Sequence, residues 1–197
     1  MARSPTKFLR VYWDSCIWIS LIQNETAIPI AGGGTENRAA LARAVLGDAT
    51  KKAAEIVTST LAFTEVNRPS VSPSGLATSP DKLAEFFEND FIVLVTLNRE
   101  VGERSRSLMQ KGYAGLRPPD AVHLASALVA NVDEMHSFDD KLLNLSERID
   151  KKDGKPLRIC KPSMGGPPLP LLDAPPPVLS EPKTDDEDDT PPKSKTN

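Results

Sequence analysis

The chain has 197 residues, 39% apolar and 26% charged, which supports one sizeable buried core rather than two and excludes a wholly disordered or fibrous chain. Its net charge of −3 belongs to the C-terminal segment: residues 162–197 hold seven acids (Asp173, Glu181, Asp185, Asp186, Glu187, Asp188, Asp189) against three lysines, leaving 20 acids and 21 bases elsewhere. Overall acidity therefore does not exclude a polyanionic partner for the rest of the chain.

No apolar run approaches the ~20 residues needed to span a bilayer. The opening MARSPTKFLRVYW lacks the longer apolar stretch of a secretory signal, so a cytoplasmic protein without a membrane association is expected. The two cysteines, Cys16 and Cys160, lie far apart and match no metal or redox spacing. Each sits in an apolar run and is expected to be a buried free thiol.

Phe8 to Trp13 reads as a strand, ending at Asp14, with a helix from Ser15 to about Asn24. The segment Ile28–Gly34 contains three consecutive glycines but neither GxGxxG nor a Walker Lys-Ser/Thr, and reads as a flexible loop. A helix is predicted over residues 36–54, a β-branched strand over 55–60, and a short helix over 61–68 that carries Glu65 and stops before Pro69. Residues 69–80 form a turn-rich loop whose Ser79-Pro80 is an N-cap and first helical position for a helix to about Asn89.

Phe91–Leu97 is a nearly continuous apolar run, the pattern of a strand covered on both faces. Asn98 caps an amphipathic helix to about Lys111, and Pro118-Pro119 opens an Ala- and Leu-rich helix from Asp120 to Ala130. A weak strand over 134–138, a helix over 140–151 and a strand over 157–160 complete the pattern. Strand and helix alternate throughout, which predicts an α/β protein: a three-layer α/β/α sandwich with a mostly parallel central sheet. The expected organisation is a globular domain over 1–161 and a disordered tail over 162–197, where ten of the 18 prolines fall.

In a parallel sheet the working groups gather beyond the carboxyl ends of the strands. Four acids are predicted at that edge: Asp14 after the first strand, Glu65 on the helix after the second, Asp120 in the first turn of its helix, and Asp139 after the strand 134–138. Gathered carboxylates raise one another's pKa and weaken the fold, a cost that a bound divalent cation removes. Oxygen ligands suit Mg²⁺ or Mn²⁺, ions that activate water and stabilise a leaving oxygen in phosphodiester hydrolysis. Against this, acids at helix starts also suit the helix dipole without any metal, which is a sufficient account of Asp120 and Asp139 taken singly. Asp14 and Glu65 interrupt apolar runs, VYWDSCIWI and LAFTEVNR, where that account is weaker.

The segments VYWDSCIWI, STLAFTEVNR, RPPDAVHLASAL and HSFDDKLL resemble, in order, the four motifs of PIN-domain ribonucleases, most closely the toxin members of bacterial VapBC toxin–antitoxin pairs. The resemblance covers roughly residues 8–161. It implies a PIN-like fold and a Mg²⁺- or Mn²⁺-dependent endoribonuclease, with Asp14, Glu65, Asp120 and Asp139 as catalytic metal ligands. It also implies supporting roles for Ser15 and Ser137, an RNA substrate, a small antitoxin partner and a homodimer. Asp140 stands beside Asp139 as an alternative; the spacing to Ser137 favours Asp139. The glycine loop, the loop over 69–80 and the tail depart from compact members.

His123, three residues after Asp120 and on the same helical face, reads as structural. Arg68, one helical turn beyond Glu65, either pairs with it, reaches RNA or is solvated; Arg104, Arg106, Lys111 and Arg117 are either RNA contacts or a solvated face, and Trp13 and Trp18 read as core. Alternatives to a toxin are a chromosomal PIN-domain protein of RNA processing and a non-catalytic RNA-binding scaffold. Loss of an acid would favour the scaffold, and none is missing. A haloacid dehalogenase-type phosphatase requires D-x-D, whereas this chain has Asp14-Ser15-Cys16.

Overall fold

A computed structural model describes residues 9–66 and 82–163. Strand β1 (Leu9–Trp13) leads directly into helix α1 (Ser15–Ile22). The glycine segment is an antiparallel hairpin, β2 (Ile28–Pro29) with β3 (Thr35–Glu36), rather than an unstructured loop. Gly32, Gly33 and Gly34 all take positive φ near +90°, which is what three glycines supply there at no steric cost. Helix α2 (Arg38–Thr50) starts at Asn37, whose side chain accepts the Ala40 N–H, and strand β4 (Ala54–Ser59) leads to α3 (Ala62–Val66).

After the undescribed stretch come α4 (Lys82–Phe87), β5 (Ile92–Val95) and α5 (Arg99–Gln110), the last capped by Asn98 as its sequence predicts. Helix α6 (Pro118–Val129) opens on its two prolines; β6 (Glu134–His136), α7 (Asp140–Leu143) and β7 (Arg158–Cys160) follow.

The strands form one parallel sheet in the order β5-β4-β1-β6-β7. Side-chain alternation along β1 divides the core into two layers. Tyr12 points to one face, where Leu108 of α5, Leu124 and Leu128 of α6, and Leu142 of α7 cover the sheet. Val11 and Trp13 point to the other, covered by Ile17 and Trp18 of α1, Val45 and Leu46 of α2, Ala62 of α3 and Leu83 of α4. This is the expected three-layer α/β/α arrangement with a parallel sheet.

Two further expectations need correction. The apolar run 91–97 is not a strand covered on both faces: β5 is an edge strand in which Ile92 is buried while Val93, Leu94 and Val95 are half-buried. The helix expected over 140–151 is the single turn α7. The chain then doubles back, with the Glu147 N–H bonded to Leu157 O and Asp150 bridged to Pro156, so Leu145 and Ile149 are buried from a turn-rich loop. Their spacing mimics a helical stripe. The loop over 69–80, the Ser79-Pro80 cap, Arg68, and the tail from 164 lie outside the described residues.

Candidate active site

Asp14, 4% exposed, is the first residue beyond β1, and its backbone N–H bonds to His136 O. Strand order reverses around β1, so Asp14 stands at the crevice where open parallel sheets place their ligands. Its side chain caps α1: Oδ1 accepts the N–H groups of Cys16 (3.1 Å) and Ile17 (3.3 Å) and the Cys16 thiol (2.7 Å). Burial nonetheless holds the Asp14 carboxyl above the usual carboxylate range, against the pull of His123, the Cys16 thiol and the Ser137 hydroxyl.

Glu65 on α3 is tied to this place by two groups. The Ser15 hydroxyl donates to Oε2 in a short contact, and His123 Nε2 lies 2.7 Å from the same oxygen. His123, 3% exposed on α6, is held from behind by Tyr12, whose hydroxyl is 2.8 Å from Nδ1. Burial pushes the Tyr12 phenol well above its ordinary value, so Tyr12 stays protonated and has a hydrogen to give. A Tyr12 hydrogen directed at Nδ1 assigns the neutral ring's own hydrogen to Nε2, facing the Glu65 carboxylate. The chain Tyr12–His123–Glu65–Ser15 thus orients one carboxylate from three elements of the fold, β1, α1 and α6.

Tyr12→Phe would leave Nδ1 buried without a donor. It is expected to lower unfolding stability by about 1–3 kcal/mol in urea denaturation.

Asp120, half-buried in the first turn of α6, accepts the Arg117 N–H on Oδ2 at 3.2 Å. Burial raises its carboxyl, and the nearby Asp139 charge raises it further, so these two acids share one neighbourhood. Asp139 caps α7 by accepting the Lys141 N–H at 2.8 Å. The buried Ser137 hydroxyl accepts the Asp139 N–H at 3.0 Å and lies 3.7 Å from Cys16 Sγ, linking this turn to the first. Asp140, the first residue of α7, is exposed.

The structure therefore places Asp14, Glu65, Asp120 and Asp139 at one edge of the sheet, each from a different element. It does not clench them: among the described residues no three of these carboxylates bring oxygens within 4.8 Å of one another. The donor set is oxygen only, two of the acids sit above their ordinary pKa, and three already serve as helix-end acceptors. Such a site fits a hard divalent cation that keeps several waters between its protein ligands, as Mg²⁺ commonly does.

Sequence reasoning undervalued His123, whose buried contacts to Glu65 and Ser15 place it in the site's framework. It missed Tyr12 altogether. The one available signal was the apolar alternation VYW immediately before Asp14, which puts Tyr12 on the face that α6 covers. The expected buried thiols are half-buried: Cys16 donates to Asp14 and accepts the Phe138 N–H, and Cys160 lies beside Glu134.

Arg104 and Lys111 line a cavity of about 470 Å³ with Arg148, Lys151 and Lys152. That cavity reaches Leu128 and Val129, at the end of α6 opposite to Asp120 and roughly 13 Å away along the helix axis.

A family model described as PIN domain matches residues 11–148, and the chain belongs to the PIN-domain family. Among solved structures it is similar to a toxin–antitoxin complex from Klebsiella pneumoniae, at 19% identity over 66% of this chain and 86% of that one, with a TM-score of 0.43. It is also similar to VapC20 of Mycobacterium tuberculosis, described as a sarcin–ricin-loop-cleaving toxin, at 16% identity, 66% and 90% coverage, and a TM-score of 0.45. No curated protein sequence matched the chain. Among the described residues no helix is long and apolar enough to cross a membrane.

Proposed function

We propose that the chain is a Mg²⁺- or Mn²⁺-dependent endoribonuclease and the toxin of a type II toxin–antitoxin pair. The observation that carries the nuclease reading is the convergence of four acids from four elements on one edge of a parallel sheet, in a chain of the PIN-domain family. The toxin role rests on the likeness of the four motif segments to those of VapBC toxins. With it come a small antitoxin that covers the site, a homodimer and a cytoplasmic location.

Asp14, Asp120 and Asp139 would hold the cation, with Glu65 as the fourth ligand or through an intervening water. When bound, the cation supplies an acidified water and charge stabilisation for an in-line attack on a phosphodiester. The chain's own contribution is positional. Asp14 is fixed by the first turn of α1, and Asp139 by Ser137 and the Lys141 N–H. Glu65 is held through Oε2 by the Ser15 hydroxyl and by Nε2 of His123.

Incubation with a structured RNA tests the reading. Cleavage is expected with Mg²⁺ or Mn²⁺, to stop on chelation and to return on adding the metal back. Cleavage that persists in chelator would overturn it. A short reading frame for a DNA-binding protein overlapping upstream separates a toxin from an RNA-processing enzyme. Co-expression with that protein should yield an inactive complex.

A further inference from the structure

We propose that Glu134, His136 and Cys160 form a second metal site, of the zinc class, on the edge of the sheet and distinct from the four acids. The three come from paired strands: His136 and Cys160 are register partners across β6 and β7, and Glu134 is two residues before His136 on the same face. Their ligand atoms all lie within 4.8 Å of one another. Glu134 Oε2 is 3.5 Å from His136 Nε2 and 3.5 Å from Cys160 Sγ.

The two Glu134 separations match the edge length of a tetrahedral metal site. With metal bonds of about 2.0 Å to oxygen and nitrogen and about 2.3 Å to sulfur, tetrahedral ligands stand roughly 3.3–3.6 Å apart.

A second observation points the same way. His136 is fully buried, yet neither ring nitrogen has a hydrogen-bond partner. The nearest carboxylate oxygen, Glu134 Oε2, stands 3.5 Å from Nε2, longer than a hydrogen bond of ordinary strength. A buried imidazole nitrogen without a partner gives up its hydration for nothing in return, and a metal bond at Nε2 would remove that cost for one of the two. Trp13, the register partner of His136 on the other side, also has an unpaired indole Nε1, but that atom only donates and cannot ligate.

Arg158 takes Glu134 Oε1 at 2.8 Å and leaves Oε2 turned to the other two ligands. The mixed carboxylate, imidazole and thiolate set selects Zn²⁺ or Co²⁺ over Mg²⁺. On binding, the sulfur–metal bond forms as the Cys160 thiol gives its proton to bulk buffer, and waters leave the hydrated ion. Among the described residues no further His, Cys, Asp or Glu joins the three, so a water would complete the shell. The site would fasten edge strand β7 to β6 one residue before Ser137.

The test is a Co²⁺ titration of the purified full chain in metal-free buffer. One equivalent should raise a thiolate-to-cobalt charge-transfer band in the near ultraviolet together with visible bands of tetrahedral strength, and Zn²⁺ should abolish both. Cys160→Ser should remove the charge-transfer band and weaken Zn²⁺ binding by about 100-fold or more. Cys16→Ser and Asp14→Asn should keep the band, which separates this site from the acids and from the nuclease reading. Zn²⁺ should also raise the melting temperature of the parent chain but not of Cys160→Ser. No band in the parent chain, or a band that survives Cys160→Ser or vanishes in Asp14→Asn, overturns the proposal.

Discussion

Asp14→Asn is expected to abolish RNA cleavage while making the metal-free protein more stable than its parent. Asn keeps the side-chain oxygen that caps α1, so the Cys16 and Ile17 N–H groups stay satisfied and the fold survives. What goes is the negative charge that the proposed cation site draws from Asp14. Several kcal/mol of transition-state stabilisation rest on such a cation, so a single-turnover assay should show a loss of about 10³-fold or more.

The stability gain follows from the raised pKa. Because the folded-state value lies above the ordinary one, the folded protein holds the Asp14 proton more tightly than the unfolded chain does. Its contribution is favourable at low pH and is lost as pH rises from the ordinary carboxylate range through the folded value. Asp120, raised for the same first reason, adds a change of the same sign. Melting temperature in chelator should therefore fall with rising pH across that window, less steeply in Asp14→Asn. At neutral pH the variant should gain about 1 kcal/mol, the usual size when a functional site is relieved of strain. Added Mg²⁺ should stabilise the parent chain and not the variant. Equal stabilisation of both would remove Asp14 from the metal site.

Trp18→Ala should produce the largest loss of stability, about 3–5 kcal/mol. Trp18 is fully buried and meets Trp13 edge-to-face at 4.7 Å, Phe87 at 5.2 Å and Phe86 at 5.8 Å between ring centres. Its Nε1 donates to Thr58 Oγ1 at 3.1 Å, and that hydroxyl donates to Trp13 O at 2.8 Å, which closes α1 onto β4 and β1. Truncation opens a void among three aromatic rings and leaves the Thr58 oxygen without its donor. Denaturant unfolding should show the drop in midpoint. A change below 1 kcal/mol would mean the layer between α1 and α4 is loosely packed.

Where a local rule governs, the chain states its structure openly. The β1–Asp14–α1 turn, the Asn98 cap and the proline opening of α6 each follow from neighbours within four residues. The edge position of β5 is a different matter. Apolarity in FIVLVTL reports burial on folding but not how many strands lie beyond it. The spacing of Leu142, Leu145 and Ile149 imitates a helix because a turn-rich loop over the same core buries residues at similar intervals.

Asp14 was legible as a candidate for a related reason: an acid that interrupts an apolar run at the end of a strand stands out, whereas Asp120 and Asp139 also answer to the helix dipole. His123 was not, since a histidine in an Ala- and Leu-rich helix is explained by packing until Tyr12 and Glu65 are seen on either side. The grouping of Glu134, His136 and Cys160 was hidden in the same way. Strand register, not sequence spacing, brings residue 160 against residue 136.

The chain has two tryptophans, and both flank Asp14 in the layer between the sheet and α1. Shielded from water and close enough to exchange excitation, they confine the whole indole emission to one corner of the molecule, beside the proposed metal ligands. Intrinsic fluorescence is thus a label-free optical gauge of that corner. Ion titration, partner docking and melting can be followed there without a reporter dye, while signals from the distant basic cavity stay dark.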